Sequence, residues 1–376
     1  MTTKYNEIPS LWNLLDSIKN EWDCKEFVSD FLQVEEIVLD SPFDAHLHLR
    51  DGEMLKIVAP LSAETFSWWI IMPNLTPAVE SVEEALSYKK RILEASSWNI
   101  FEPFMTLNFR PDYTKEMLSE AKNHIIWIKM YPKWQTTNSE RWIDGSQIDS
   151  YRHTLEIMQE LWIPLLVHGE RVDGWDKIDE LDKERKFWSI YEELAKNFPD
   201  LKIIMEHVST KEVIELVDKY PNLYATVTLH HLLVIHNHIV WGWTKTHIMC
   251  MPIPKLWDDR KALLKAVLSW NPKIMFGSDS APHPRNKKES ACWCAWVFTS
   301  PIALQALVEI FEAFWKLEKL NDFLSWNAKK IYWINLPEKK IKLKKTWFII
   351  PENYWSWENI IVPFLDDRKL SWEVTK

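Results

Sequence analysis

Residues 43–52 read Phe43-Asp44-Ala45-His46-Leu47-His48-Leu49-Arg50-Asp51-Gly52. Apolar and polar side chains alternate along the run and it closes on Asp-Gly, the pattern of a short strand ending in a turn. Side chains two apart on a strand share a face, so His46, His48 and Arg50 are expected on one side and Leu47 and Leu49 on the other. Two imidazoles side by side, with a cation one step along, suit a metal site next to an anion site. Taken alone, His-x-His suits a pair of hydrogen-bonded core histidines as well.

Outward from this strand the same kind of run recurs. Strands are predicted at 43–49, 66–72, 101–109, 125–131, 163–168, 203–207, 224–229 and 274–277. Helical segments rich in Glu, Lys, Leu and Ala separate most of them, such as 81–97, 177–197 and 211–219. Strands alternating with helices in this way predict an α/β fold, a (β/α)8 TIM-type barrel, with a doubly wound open sheet as the alternative. Residues 1–40 read as an N-terminal helical extension with Trp12, Leu14, Leu15 and Ile18 on one face. Residues 41–376 read as the barrel domain with a C-terminal extension: helical runs at 301–316 and 320–331, then a tail with strand-like pieces at 347–351 and 360–364 that packs on the barrel.

Composition narrows the function classes. Of 376 residues, 47% are hydrophobic and 26% charged, as in an ordinary globular protein. A formal net charge of −9 argues against non-specific binding to nucleic acid or an anionic membrane and leaves room for a local basic pocket. No apolar run reaches the roughly 20 residues of a spanning helix. Cys24, Cys250, Cys292 and Cys294 are too few for a disulfide framework in a chain of this length, which points to reduced thiols in the cytoplasm.

The chain holds 6 glycines and 24 tryptophans, whereas average usage gives roughly 26 glycines in this length. Trp162 and Trp270 stand between a helical run and the next strand, where a helix ends in a left-handed residue, usually Gly. Trp127 would share a strand face with Lys129 and crowd it. Trp68-Trp69, Trp241-Gly242-Trp243 and residues 292–296 look like glycine-rich segments of close backbone approach. Many of these tryptophans are therefore expected to stand at glycine positions, as they would if a UGA codon read as Gly in the source were rendered as Trp. A protein truly rich in tryptophan is the alternative.

Polar residues collect at the predicted strand ends: His46 and His48, Asn74, Lys129, His168, His207 and Asp279. In a barrel these ends share one face, the one that carries catalysis. A strand-end histidine can be a satisfied core residue and a lone aspartate a turn residue. Lys129 says more, because an ammonium inside an apolar strand needs a carboxylate partner, a depressed pKa or chemical modification.

Taken together, His46-x-His48-x-Arg50-Asp51-Gly52, Met72-Pro73-Asn74, Ile128-Lys129-Met130-Tyr131-Pro132, His168-Gly169-Glu170, Glu206-His207 and the run from Gly277 to His283 resemble the dihydroorotase family of the amidohydrolase superfamily, in its shorter bacterial type, over about residues 42–365. The resemblance implies a small-molecule substrate and a cyclic amide hydrolase that interconverts dihydroorotate and N-carbamoyl-aspartate, with two zinc ions per subunit. His46, His48 and Asp279 would bind one zinc and His168 and His207 the other, with Lys129, carboxylated from CO2, bridging both. Asp279 would also be the catalytic base and then acid. Arg50, Asn74 and His283 would grip the substrate carboxylate, and Met251 and Ala295 would hold the ring amide through their backbones. Thr136 and Thr137 would close over the substrate from a mobile loop. Glu170 and Glu206 are candidates to orient metal ligands, and His230 and His231 lie near a strand end. A homodimer is implied as well. Family glycines fall at Trp127, Trp162, Trp293, Trp296 and Trp333, and the N-terminal extension departs from the family pattern. A related cyclic amidase acting on hydantoin, dihydropyrimidine or allantoin, or a non-catalytic barrel scaffold, are the competing functions.

Overall fold

Alternation with a period of two organises the barrel wall. The computed structural model describes residues 15, 34–96, 101–125, 127–132, 148–172, 177–242, 244–334, 338–356 and 359–375. After β1 (Glu36–Asp40) come β2 (Phe43–Leu47), β3 (Trp68–Ile71), β4 (Glu102–Asn108), β5 (Trp127–Met130), β6 (Leu165–Val167), β7 (Ile203–Met205), β8 (Leu223–Val227) and β9 (Ile274–Phe276). Strands β2 to β9 form one eight-stranded parallel sheet in chain order. The sheet closes where Asp279 N donates to His46 O (2.9 Å) and His48 N donates to Ser280 O (3.1 Å). All the predicted barrel strands are present, each ending earlier than predicted and one, Leu223–Val227, beginning a residue sooner, and the open-sheet alternative falls. Trp68, Ile70, Trp127, Leu166, Ile204 and Met275 fill the lumen in one cluster, sealed by Tyr332, whose ring lies 4.5 Å from that of Trp127. Their neighbours Trp69, Ile71, Ile128, Leu165, Ile203 and Phe276 face the surrounding helices.

Strand β2 departs from simple alternation. Its register with β3 shifts between Asp44 and Leu47, so Ala45 stays in the lumen cluster while His46 also turns inward, toward Glu206. The strand ends at Leu47, and Arg50 leaves it with a left-handed backbone (φ 61°). A bulge re-aims side chains in this way.

Several expectations need correction. Residues 36–40 are not helical: β1 pairs antiparallel with Lys340–Lys344, which pairs in turn with Glu373–Thr375. The two ends of the described chain thus share one sheet across the expected boundary at residue 40, since alternating burial on Lys340–Lys344 needs a partner strand. The rest of the helical reading of residues 1–40 lies outside the described residues, apart from Leu15. The helix expected at 177–197 begins at Lys183, and that at 211–219 breaks into Lys211–Ile214 and Leu216–Lys219. The run at 301–316 is a helix only over Ala303–Ala313, and 320–331 divides into a π-helical turn (Asp322–Trp326) and a helix (Asn327–Tyr332). No described helix is long and apolar enough to cross a membrane.

Helix ends carry an unusual residue. After the helix Arg152–Leu161, Trp162 is left-handed (φ 59°); its N–H donates to Gln159 O (3.2 Å) while Ile163 N donates to Met158 O (2.9 Å). Trp315 (φ 55°) repeats this after Ala303–Ala313, with Trp315 N to Glu312 O at 3.0 Å and Lys316 N to Phe311 O at 2.8 Å. Trp333 (φ 53°) ends Asn327–Tyr332, with Ile334 N on Lys329 O at 3.1 Å. The first two are complete Schellman motifs and the third shares their wider bond; the position each tryptophan holds favours glycine. A residue with a Cβ pays roughly 1–2 kcal/mol in that conformation. Trp270 (φ 62°) and Trp296 (φ 78°) are left-handed too, so the sequence expectation for Trp162 and Trp270 holds and extends to three more tryptophans.

Candidate active site

The C-terminal ends of β2, β5, β6, β7 and β9 converge on one buried cluster. His46 Nε2 lies 3.2 Å from His48 Nε2, and Asp279 Oδ1 lies 3.4 Å and 3.2 Å from these two atoms. The outer nitrogens are both engaged: His46 Nδ1 donates to Glu206 Oε2 (2.5 Å) and His48 Nδ1 to Asn74 Oδ1 (2.6 Å). With Nδ1 carrying the proton, each Nε2 presents a lone pair, and the two lone pairs face one another beside a carboxylate. Burial and the neighbouring Lys129 hold both histidines well below the usual imidazole range, with Arg50 adding to the effect at His48. Such a trio of donors could hold a metal ion, and carboxylate or amide partners on the outer nitrogens are what orient metal-binding histidines.

His168 and His207 stand next to this trio, their rings 4.5 Å apart, with His207 5.1 Å from His46. His168 Nε2 donates to Glu170 Oε2 (2.7 Å), leaving Nδ1 for a ligand role. His207 Nδ1 has no hydrogen-bond partner among the described residues. Lys129, fully buried, lies within electrostatic reach of Glu206 and Asp279; among the described residues its Nζ has no hydrogen-bond partner, and it lies 4.9 Å from the centre of the Tyr131 ring. Burial brings the ammonium down to about 8 against the pull of Glu206 and Asp279. Burial likewise pushes the Asp279 and Glu206 carboxyls up to about 7.

Two of the glycines are indispensable here. A Cβ on Gly169 would lie 2.2 Å from the Tyr191 hydroxyl, and one on Gly277 2.9 Å from Cβ of His46. Both permit the backbone approach that sets His168 and Asp279 in place.

Beside the cluster is a cationic pocket. Arg50 donates from Nε to Pro282 O (3.0 Å) and from Nη2 to Ala281 O (3.0 Å) and His283 Nε2 (2.9 Å). Burial and Arg50 hold His283 down to about 2, so it is a neutral acceptor. Ala295 is buried between Cys294 and Trp296, whose carbonyls both accept from Lys288 Nζ. Met251 packs at the edge of the core. Thr136 and Thr137 lie outside the described residues.

Asn74 was expected only as a substrate contact, but its amide oxygen is committed to His48. Sequence reasoning missed Asp44, whose carboxylate takes N–H groups from His46 (3.1 Å) and Ser278 (2.8 Å) and the Ser278 hydroxyl (2.5 Å). It ties the β2 and β9 ends together, and its position two before His46 was the available signal. Thr226 was missed as well: it donates to Glu206 (2.8 Å) and accepts from His207 N (2.7 Å). A second buried trio, His230, His231 and Cys250, reads as structural. His231 Nε2 donates to the Pro252 carbonyl (2.9 Å) and Nδ1 meets the Thr228 hydroxyl (2.9 Å), leaving that ring no spare lone pair.

A parallel barrel with clustered histidines, a lysine and an aspartate at its strand ends defines an amidohydrolase, and residues 128–334 match the Amidohydrolase family model. The chain is 41% identical to a dihydroorotase of Helicobacter acinonychis over 341 residues, 90% of this chain and 98% of that one. Among solved structures it resembles a Campylobacter jejuni dihydroorotase (41% identity, TM-score 0.86, 92% of this chain and 99% of that one). A Saccharomyces cerevisiae dihydroorotase in complex with 5-fluoroorotic acid is similar too (32% identity, TM-score 0.86, 91% and 99% covered). The chain belongs to the dihydroorotase family. It is a hydrolase of a cyclic amide, acting in pyrimidine biosynthesis.

Proposed function

We propose that the site works with two zinc ions, the first held by His46, His48 and Asp279, the second by His168 and His207, with Lys129 bridging them as a carbamate. One observation carries this reading: two imidazole lone pairs and a carboxylate oxygen meet within 3.4 Å, an arrangement that repels itself unless a cation sits among the donors. The buried Lys129 amine supports the bridging role. Loss of one proton from the ammonium, addition of the neutral Nζ to the carbon of CO2 and loss of a second proton to solvent would turn a cation stranded among imidazoles into an anionic ligand. Bound, the ions would supply a water acidic enough to act as nucleophile near neutral pH and a Lewis acid for the ring carbonyl.

The protein's own groups do the rest. Arg50, its Nε and Nη2 bonded to Pro282, Ala281 and His283, offers its charge and its Nη1 to the carboxylate of dihydroorotate, with Asn74 beside it. This favours dihydroorotate over uncharged dihydropyrimidines. The backbones of Met251 and Ala295 hold the ring amide, and Thr136 and Thr137 cover it. Asp279 takes a proton from the attacking water and passes it to the ring nitrogen that leaves, as base and then acid. The product is N-carbamoyl-aspartate, and the same steps reversed close the ring. The enzyme acts as a cytoplasmic homodimer.

Two measurements test this. Elemental analysis of the purified protein is expected to give two divalent metal ions per chain, and 13C NMR after equilibration with labelled CO2 a carbamate carbon that disappears in Lys129→Ala. Turnover of dihydroorotate is expected, with none of dihydrouracil. A folded, active protein without metal would overturn the zinc reading, and turnover of dihydrouracil alone the choice of substrate.

A further inference from the structure

The left-handed tryptophans take no part in the reaction as derived, and their surroundings ask for a different residue. Trp162, Trp315 and Trp333 hold the helix-end position that glycine serves because it lacks a Cβ. Trp270 (φ 62°) follows the helix Trp257–Leu268 in the same conformation, and Trp296 (φ 78°) turns the chain into the bridge between Val297 and Ser280. A large side chain in that region is a conformational outlier, and here one residue type supplies five such outliers in one chain.

A second observation is independent of backbone angles. The indole N–H groups of Trp68, Trp69 and Trp127 are buried without a hydrogen-bond partner among the described residues, although a buried indole normally finds one. At the surface the opposite holds: Trp162 and Trp333 are 61% and 70% exposed, leaning on each other with rings 6.4 Å apart. Indoles without hydrogen-bond partners inside and largely in solvent outside are what results when a side chain is added where the fold left none. The composition agrees, with 6 glycines against 24 tryptophans.

We propose that glycine is the native residue at positions 162, 270, 296, 315 and 333, each encoded by a UGA codon that the source organism reads as glycine and that is rendered here as tryptophan. The consequence reaches the active site at position 296. The Trp296 ring lies 5.9 Å from that of His283, tilted by 37°, and His283 is bonded to Arg50. The indole therefore occupies space beside the cationic pair, and glycine at 296 opens that side to a substrate carboxylate. The hollow between Trp162 and Trp333, lined also by Pro164, Pro199, Lys202 and Tyr224, loses two of its walls.

The test has two arms. In the first, the gene's codons at the five positions are read and the matching peptides of the protein purified from its source are weighed. UGA codons with glycine masses are expected at all five. A UGG codon or a tryptophan mass at any of them overturns the proposal, since one reassigned codon has to account for every left-handed site. In the second, the chain is made as written and with Trp→Gly at single positions. Trp162→Gly and Trp333→Gly are expected to raise the melting temperature by about 2 °C each with KM unchanged. Trp296→Gly is expected to lower KM for dihydroorotate by about tenfold. If none of the single variants gains stability and Trp296→Gly leaves KM as it was, tryptophan fits these sites and the proposal fails. Codon and mass do not depend on turnover, so this result stands or falls apart from the choice of substrate.

Discussion

At the mouth of the barrel Arg50, His207 and Asp279 hold left-handed backbone (φ 61°, 41° and 44°); at the helix ends Trp162, Trp315 and Trp333 hold much the same angles (φ 59°, 55° and 53°). The conformational cost per residue is alike, roughly 1–2 kcal/mol. What the cost brings is not. At the mouth the twist carries a side chain from the end of a strand into the site. His207 follows β7 with its N–H held by Thr226, and Asp279 donates its N–H to His46 O, which sets its carboxylate against His46 and His48. Glycine there would relieve the strain and delete the chemistry. At the helix ends the indoles face outward, 61%, 39% and 70% exposed, and the turn needs only the backbone. Backbone strain therefore points to function only where the strained side chain is put to use.

The comparison can be broken at either end. The largest effect is expected at the mouth: Asp279→Asn keeps the fold by circular dichroism and lowers kcat for dihydroorotate by about a thousandfold or more. An active Asp279→Asn enzyme would remove the reason for strain at this residue. Next is the support for His46. Glu206→Gln keeps the size of the side chain but removes the charge that polarises the imidazole, and metal affinity measured by chelator competition is expected to fall roughly 10- to 100-fold. Arg50→Lys replaces a planar fork by a point charge, and KM for dihydroorotate is expected to rise about tenfold with a smaller change in kcat. The smallest effect separates the two regions most cleanly. Trp162→Ala, which retains a Cβ, is expected to leave the melting temperature below that of Trp162→Gly by about 2 °C. Equal values for the two variants would mean that the indole, not the left-handed backbone, sets the stability there.

The barrel was legible because its strands are short apolar runs bounded by polar ends, and such runs are buried on both faces wherever the chain folds. The residues of the buried cluster were legible for a related reason: a histidine, lysine or aspartate at the end of an apolar run has no solvent to satisfy it. β1 was not legible, since Glu36–Asp40 carries a mixed pattern and becomes a strand only because Lys340–Lys344, some 300 residues away, offers it an edge. Asp44 was passed over because its role exists only where Ser278 comes beside it.

By itself the amino-acid sequence determined the order of strands and helices, the polar residues gathered at the strand ends and the shortage of glycine, because each is a property of local pattern or composition. Tertiary structure alone decided which nitrogen of His46, His48 and His168 is left free of a hydrogen bond to an orienting partner, through Glu206, Asn74 and Glu170. It also decided which tryptophans sit where only glycine is free of strain. Both depend on hydrogen bonds and chain reversals whose partners are brought together by folding, and no window along the chain contains them.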